Sequence, residues 1–134
     1  DAGGAVNDRG GAAVLLAAVA GVVLLLAGVL GAVGSFLLAR VEAVAAADAA
    51  ALAAAPVTFL PFGATGTPAQ EAARFAAANG ARLLSCSCPL DPSWEPRTVT
   101  VQVSREAPLW PAGSITITAT GRAEFLPALL LTGE

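Results

Sequence analysis

Histidine, methionine and tyrosine are all missing from this 134-residue chain, and only 13% of its residues are charged. Without His or Tyr it lacks the commonest general base, the commonest metal ligand and a phenolic acid. The remaining candidates do not fill the gap. The carboxylates Glu71, Asp91, Glu95, Glu106, Glu124 and Glu134 are scattered over helix starts, loops and strand ends. No glycine-rich phosphate loop follows a strand, and the serines have no partner base. We therefore expect no enzyme, no catalytic residues and no cofactor. A net charge of −3 offers no basic patch for phosphates, so no specific nucleic-acid binding is evident. Thiols are equally scarce, at two. Two sulfurs without histidine make a deficient metal site, so no metal is expected.

The missing methionine carries a second message. A chain opening at Asp1 has lost its initiator, which implies a removed leader or another cut boundary. The opening DAGGAVNDR reads as a short polar arm.

What is abundant is apolar surface. Hydrophobic residues make up 56% of the chain, and no charge interrupts Gly10 to Ala39. Those residues form a helix of about 45 Å, enough to cross a bilayer with some tilt. Their eight Leu, six Val and one Phe favour insertion by roughly 5 to 9 kcal/mol before the glycines subtract a little. A plain membrane anchor would share these properties. Past Arg40, however, VEAVAAADAAALAAA keeps strong helix formers going from Val41 to Ala55, and Pro56 stops them. The element from about Arg9 to Ala55 would be about 70 Å long, more than any bilayer requires. Its outer part must find a protein partner. Gly21, Gly28, Gly31 and Gly34, with Ala17, leave side-chain-free surface that permits close helix packing, although glycine is common in membrane helices generally. At the edge of the run, Asp8 caps the helix dipole or, in a packed assembly, pairs with Asp1's amine or Arg9 of a neighbour. Glu42 and Asp48 read as helix-surface charges.

Residues 56–66 read as a linker with an aromatic plug. Thr67 and Pro68 open a second helix, expected to bury Ala72, Phe75 and Ala76 and to stop at Gly80. The period then changes to two. Strands are expected over Ala81–Cys88, Arg97–Glu106 and Ser114–Phe125, forming an antiparallel meander with one covered face. The Pro-rich segments PLDPSWEP and APLWPAG should be stiff connections. The leucine-rich tail LPALLLTGE should dock on its own domain or on a neighbour. The fold class is α+β: a long N-terminal helix (residues 1–55, arm included), a linker (56–66), and a small domain (67–134) with one short helix on a three-stranded sheet.

Cys86 and Cys88 stand two apart and point to one side of a strand. Their Cα atoms would be about 6.5 to 7 Å apart in extended backbone, at the edge of disulfide geometry, unless a turn before Pro89 shortens the gap. A local bridge, free thiols and links between subunits all remain open.

The stretch ADAAALAAA, following an apolar helix that opens DRGGAAV, resembles the TadE/TadG-like pilus-assembly proteins of tight-adherence type IV pilus systems, with the actinobacterial branch fitting best. FAAANGARLLSC and the TVTVQV strand are also similar, so the resemblance spans most of residues 8–122. It implies a pilin-like subunit, cleaved by a prepilin peptidase, held across the cytoplasmic membrane and then extracted into an extracellular filament. Its partners would be further copies of itself in a helical homo-oligomer, and other pilins. Adhesion, twitching or DNA uptake would be its roles. The alternative is a single-span assembly or partner-binding protein that does not polymerise. Two features depart from the family pattern. Many such pilins carry an early Glu within the apolar run, here replaced by Asp8 just outside it, and major tight-adherence pilins are usually smaller.

Overall fold

The computed structural model describes residues 5–109 and 113–133, with side chains from residue 10 onward. Its order is a long helix α1 (Ala5–Val57), a 3-10 turn (Leu60–Phe62), α2 (Pro68–Ala78), β1 (Arg82–Ser87), β2 (Arg97–Leu109), β3 (Gly113–Phe125) and a one-turn helix α3 (Leu129–Thr132). The class is α+β, with an antiparallel sheet in the order β1-β2-β3. Helix α1 begins at Ala5, inside the segment read as an arm, because adding residues to a nucleated helix is cheap. It also continues one residue past Pro56. Thr58 then closes the end, its backbone N–H and its hydroxyl both donating to the carbonyl of Ala55, at 3.2 and 2.6 Å.

The chain divides into two compact units, Asp1–Ser35 and Phe36–Glu134. In the first, every described large apolar side chain of α1, from Val14 to Val33, is exposed. In the second, the rest of α1 is a wall of the core. Ala39, Ala43, Ala46, Ala47, Ala50, Ala51, Ala54 and Ala55 are all buried, at the three-and-four spacing of one helix face. Opposite them stand Val99, Val101 and Val103 of β2 and Ile117, Ala119 and Ala123 of β3. Alanine on the helix lets the sheet approach closely, and the approach is tightest at Gly121, the partner of Val101. A Cβ there would overlap the carbonyl group of Ala47 and lie 2.6 Å from the backbone nitrogen of Asp48.

Helix α2 opens with a full capping box, Thr67 accepting from the Gln70 N–H while the Gln70 side chain accepts from the Thr67 N–H. Its inner face is Pro68, Ala72 and Ala76, whereas Phe75, expected inside, is 37% exposed and lies under the Arg74 guanidinium. The buried positions of this helix hold only small side chains. Gly80 ends the connection in the left-handed region, with φ of 69°.

Each strand differs from expectation at one end or both, β3 only by starting at Gly113. β1 is shorter because the Gly80 turn occupies the chain up to Ala81. β2 runs on to Leu109, because β3 pairs with it as far as Leu109↔Gly113. Pro108 is tolerated there since β1 reaches only Ser104, so β2 has a single partner beyond that point.

Candidate interaction surface

The most extensive feature of the described surface is the exposed apolar face of α1. Among the described residues no group of three or more His, Cys, Asp or Glu could hold a metal ion.

The α1 surface comes first. One 18-residue window of this helix has a mean hydropathy of 2.9 and buries nothing, so by length and composition it can cross a membrane. Ala17, Gly21, Gly28, Gly31 and Gly34 all lie on this exposed helix. Around each of the four glycines, a Cβ would meet nothing within 4 Å. The apolar character does not stop at Arg40. Within the second unit Val41, Val44 and Leu52 are exposed on the side of α1 turned away from the alanine face, with Asp48 among them. Asp1 and the side chains of Asp8 and Arg9, the expected charge pairing, lie outside the described residues.

Glu42 is no free surface charge. Its Oε2 lies 2.7 Å from Nη2 of Arg105, whose Nη1 donates to the carbonyl of Asn79 at 2.8 Å. Arg105 stands on the core face of β2, level with Ile117, and so clips α1, the end of α2 and the sheet together at the rim. At the other end of the sheet, Arg97 is buried among backbone carbonyls. Its Nη1 donates to the oxygens of Thr58 and Asp91, at 3.3 and 2.6 Å, and its Nη2 to those of Ser93 and Glu95. Its guanidinium lies 5.7 Å from the ring centre of Phe59. Phe59 is the buried part of the expected plug, packed edge-on to Trp94 at 4.9 Å and against Phe125 at 6.2 Å, whereas Phe62 is exposed. The segment after Cys88 is thus lashed to the end of α1, helped by the bond from the Asp91 N–H to the Thr58 carbonyl at 3.0 Å. The Asp91 carboxylate accepts from the Ser93 N–H at 2.7 Å. That bond, then the Ser93 hydroxyl and the positive charge of Arg97, outweigh a small burial cost and hold the Asp91 carboxyl below its ordinary range.

Cys86 and Cys88 are joined by a disulfide with Cα atoms 5.4 Å apart. The strand ends at Ser87, and the backbone between the two cysteines is contracted below the spacing of extended chain. In the tail Pro127 is fully buried, while Leu129, Leu130 and Leu131 are exposed and do not dock on their own domain.

Arg97, Arg105 and Gly121 escaped the sequence reading. A glycine in the middle of an alternating strand signals close backbone approach, and that is the signal by which Gly121 could have been found. Nothing local distinguishes Arg97 or Arg105 from ordinary strand arginines, because their partners lie far away in the chain.

Residues 10–57 match the family model described as Putative Flp pilus-assembly TadE/G-like. The match bears out the resemblance over α1 and supports a pilus-related role. No curated protein and no solved structure matches the chain.

Proposed function

We propose that this chain is a structural, pilin-like subunit of a tight-adherence pilus that polymerises through α1. The observation that carries the reading is one helix whose apolar side chains stay exposed past Arg40 into a segment that also builds a folded domain. The part up to Ala39 suits lipid, and the stripe of Val41, Val44 and Leu52 suits the helices of neighbouring copies. The glycines at 21, 28, 31 and 34 give those neighbours room to approach. On this reading the chain first spans the cytoplasmic membrane, then leaves it for a surface filament, alone or with other pilins. Its exposed domain serves adhesion, twitching or DNA uptake, in the manner of the actinobacterial branch. Asp8 would face the amine of Asp1 or the Arg9 side chain of an adjacent copy. No catalysis is assigned.

Gly28→Leu and Gly31→Leu should abolish filament assembly while leaving membrane insertion intact, as read by sheared-fibre yield and carbonate-resistant membrane retention. Normal fibre yield from both variants would remove the packing argument. Mass spectrometry of the N-terminus in sheared filaments tests membership and processing together. A second reading, a single-span assembly factor that never polymerises, draws on the matched family's description, which names pilus assembly. Under that reading the chain stays wholly in the membrane fraction while filaments form without it.

A further inference from the structure

The end of the domain at which α1 stops and β2 starts carries apolar side chains that the described residues leave uncovered. Phe59 gathers three segments there, packing on Trp94 and Phe125 and forming a backbone bridge with Asp91. Beside these contacts Leu60, Phe62, Leu90 and Trp94 are exposed, and past the buried Pro127 so are Leu126's neighbours, the three leucines of α3. At their exposures these side chains present on the order of 800 Å², more than the largest apolar patch of a typical monomer and about what one partner gives to a stable interface. The same segments are acidic at the surface. Asp91, Glu95 and Glu124 lie in them, whereas their one cation, Arg97, is buried among backbone carbonyls. Whatever covers this end must bring apolar side chains and a positive charge together. Two such ends facing each other would oppose carboxylate to carboxylate, and anionic lipid headgroups would be repelled in the same way.

We propose that this end seats on a second copy of the chain, against Leu37 and Val41 of that copy's α1, with the copy's Arg40 among Asp91, Glu95 and Glu124. The complement is found on the chain itself. Arg40, Arg82 and Arg122 are exposed and make no ion pair among the described residues. Arg122 stands between Thr120 and Glu124 on the outer sheet face, and Arg82 has one exposed leucine near it, Leu84. Arg40 alone shares a helix face with a row of exposed apolar side chains, Leu37, Val41 and Val44, at the three-and-four spacing. The contact joins two different surfaces, so it leaves a free end on each copy and can propagate along a filament. It also carries a height requirement. Arg40 and Val57 are about 26 Å apart along α1, so copies standing level in a flat bilayer cannot make it, and one must rise by about that distance. The inference rests on the reading of the chain as a polymerising subunit and names a contact that repeats between its copies.

The test uses the full chain with Leu37→Cys, Leu130→Cys or both, in sheared filaments and in flat proteoliposomes. Oxidation should link the double variant into ladders in filaments and leave it unlinked in proteoliposomes, and neither single variant should link. A water-soluble maleimide should label Leu130→Cys in proteoliposomes and not in filaments. Arg40→Glu should lower fibre yield about tenfold or more with membrane retention unchanged, because like charges then meet across the contact, and adding Glu95→Arg and Glu124→Arg should restore it. Normal filaments that lack the link between positions 37 and 130, or a fibre yield indifferent to Arg40→Glu, overturn the contact while leaving polymerisation through α1 in place. Absence of the chain from the parent's filaments refutes the polymer reading, and this contact with it. Linking of Leu130→Cys alone would mean end-to-end pairing, linking to another protein a foreign partner, and its protection in proteoliposomes a lipid surface; each overturns the proposal.

Discussion

Replacing Gly121 by alanine tests the packing of α1 on the sheet more directly than any other single change. The added methyl meets backbone, the carbonyl group of Ala47 and the nitrogen of Asp48, so no rotamer can relieve the overlap. Either the helix retreats or the strand bends. In an ordinary strand, Gly→Ala would stabilise by about 0.5 to 1 kcal/mol through backbone entropy, and here that gain opposes the clash. Overpacking of a tight core costs about 1 to 3 kcal/mol, occasionally more, and with an immobile backbone neighbour the upper end applies. A helix forced outward would also loosen its alanine contacts with Val99, Val101 and Val103, which are fully buried. We expect a net loss of about 2 kcal/mol, or roughly 8 to 16 °C in Tm for a domain of this size. Urea and thermal unfolding of the full chain in micelles, followed by tryptophan fluorescence, measures it. Gly34→Ala, where the methyl meets open space, is the matched control and should not lower the domain's Tm. A Gly121→Ala domain as stable as its parent would refute the close approach of helix and sheet.

Arg97→Met should cost about 2 to 4 kcal/mol in urea unfolding, because four carbonyl oxygens each lose a donor and only that of Thr58 keeps another, and should expose residues 89–96 to limited proteolysis. Asp91 has a folded-state pKa below its unfolded value, so its contribution to stability is complete above the unfolded value near 3.9 and fades as pH falls through the folded one. Asp91→Asn should flatten the stability profile below about pH 4 and leave its shape near neutrality unchanged, as followed by thermal melts across pH. Cys88→Ser should lower stability by only about 1.5 to 2 kcal/mol, since the bridge closes a loop of minimal length, and a larger fall in urea midpoint would mean that the bridge also holds the following segment in place.

The fold was legible wherever one periodic signal acted alone. The charge-free run, the Thr67–Pro68 helix start, the Gly80 stop and the alternation of Val99, Val101 and Val103 each reflect local physics, and each element lies where that physics puts it. Errors arose where a distant partner decided the outcome. Pro108 reads as a loop residue until β3 is seen pairing past it on the one side where no β1 stands. Phe75 reads as a core residue until α2 is seen resting on alanines. Glu42 has the look of a solvated charge because Arg105, which meets it, lies 63 positions later in the chain. The apolar surface of α1 was partly legible too. Composition marks the run up to Ala39, but the exposure of Val41, Val44 and Leu52 beside a buried alanine face follows from how this part of α1 packs on the sheet.

The Arg97 lashing has a consequence for where this domain can work. A guanidinium does not give up its proton in any habitable medium, and amide oxygens do not gain one. A knot tied between such groups has no titration point, unlike one tied to a carboxylate. Acid that protonates Asp91 removes that residue's modest contribution and leaves the bonds from the guanidinium to the backbone oxygens with both partners in place.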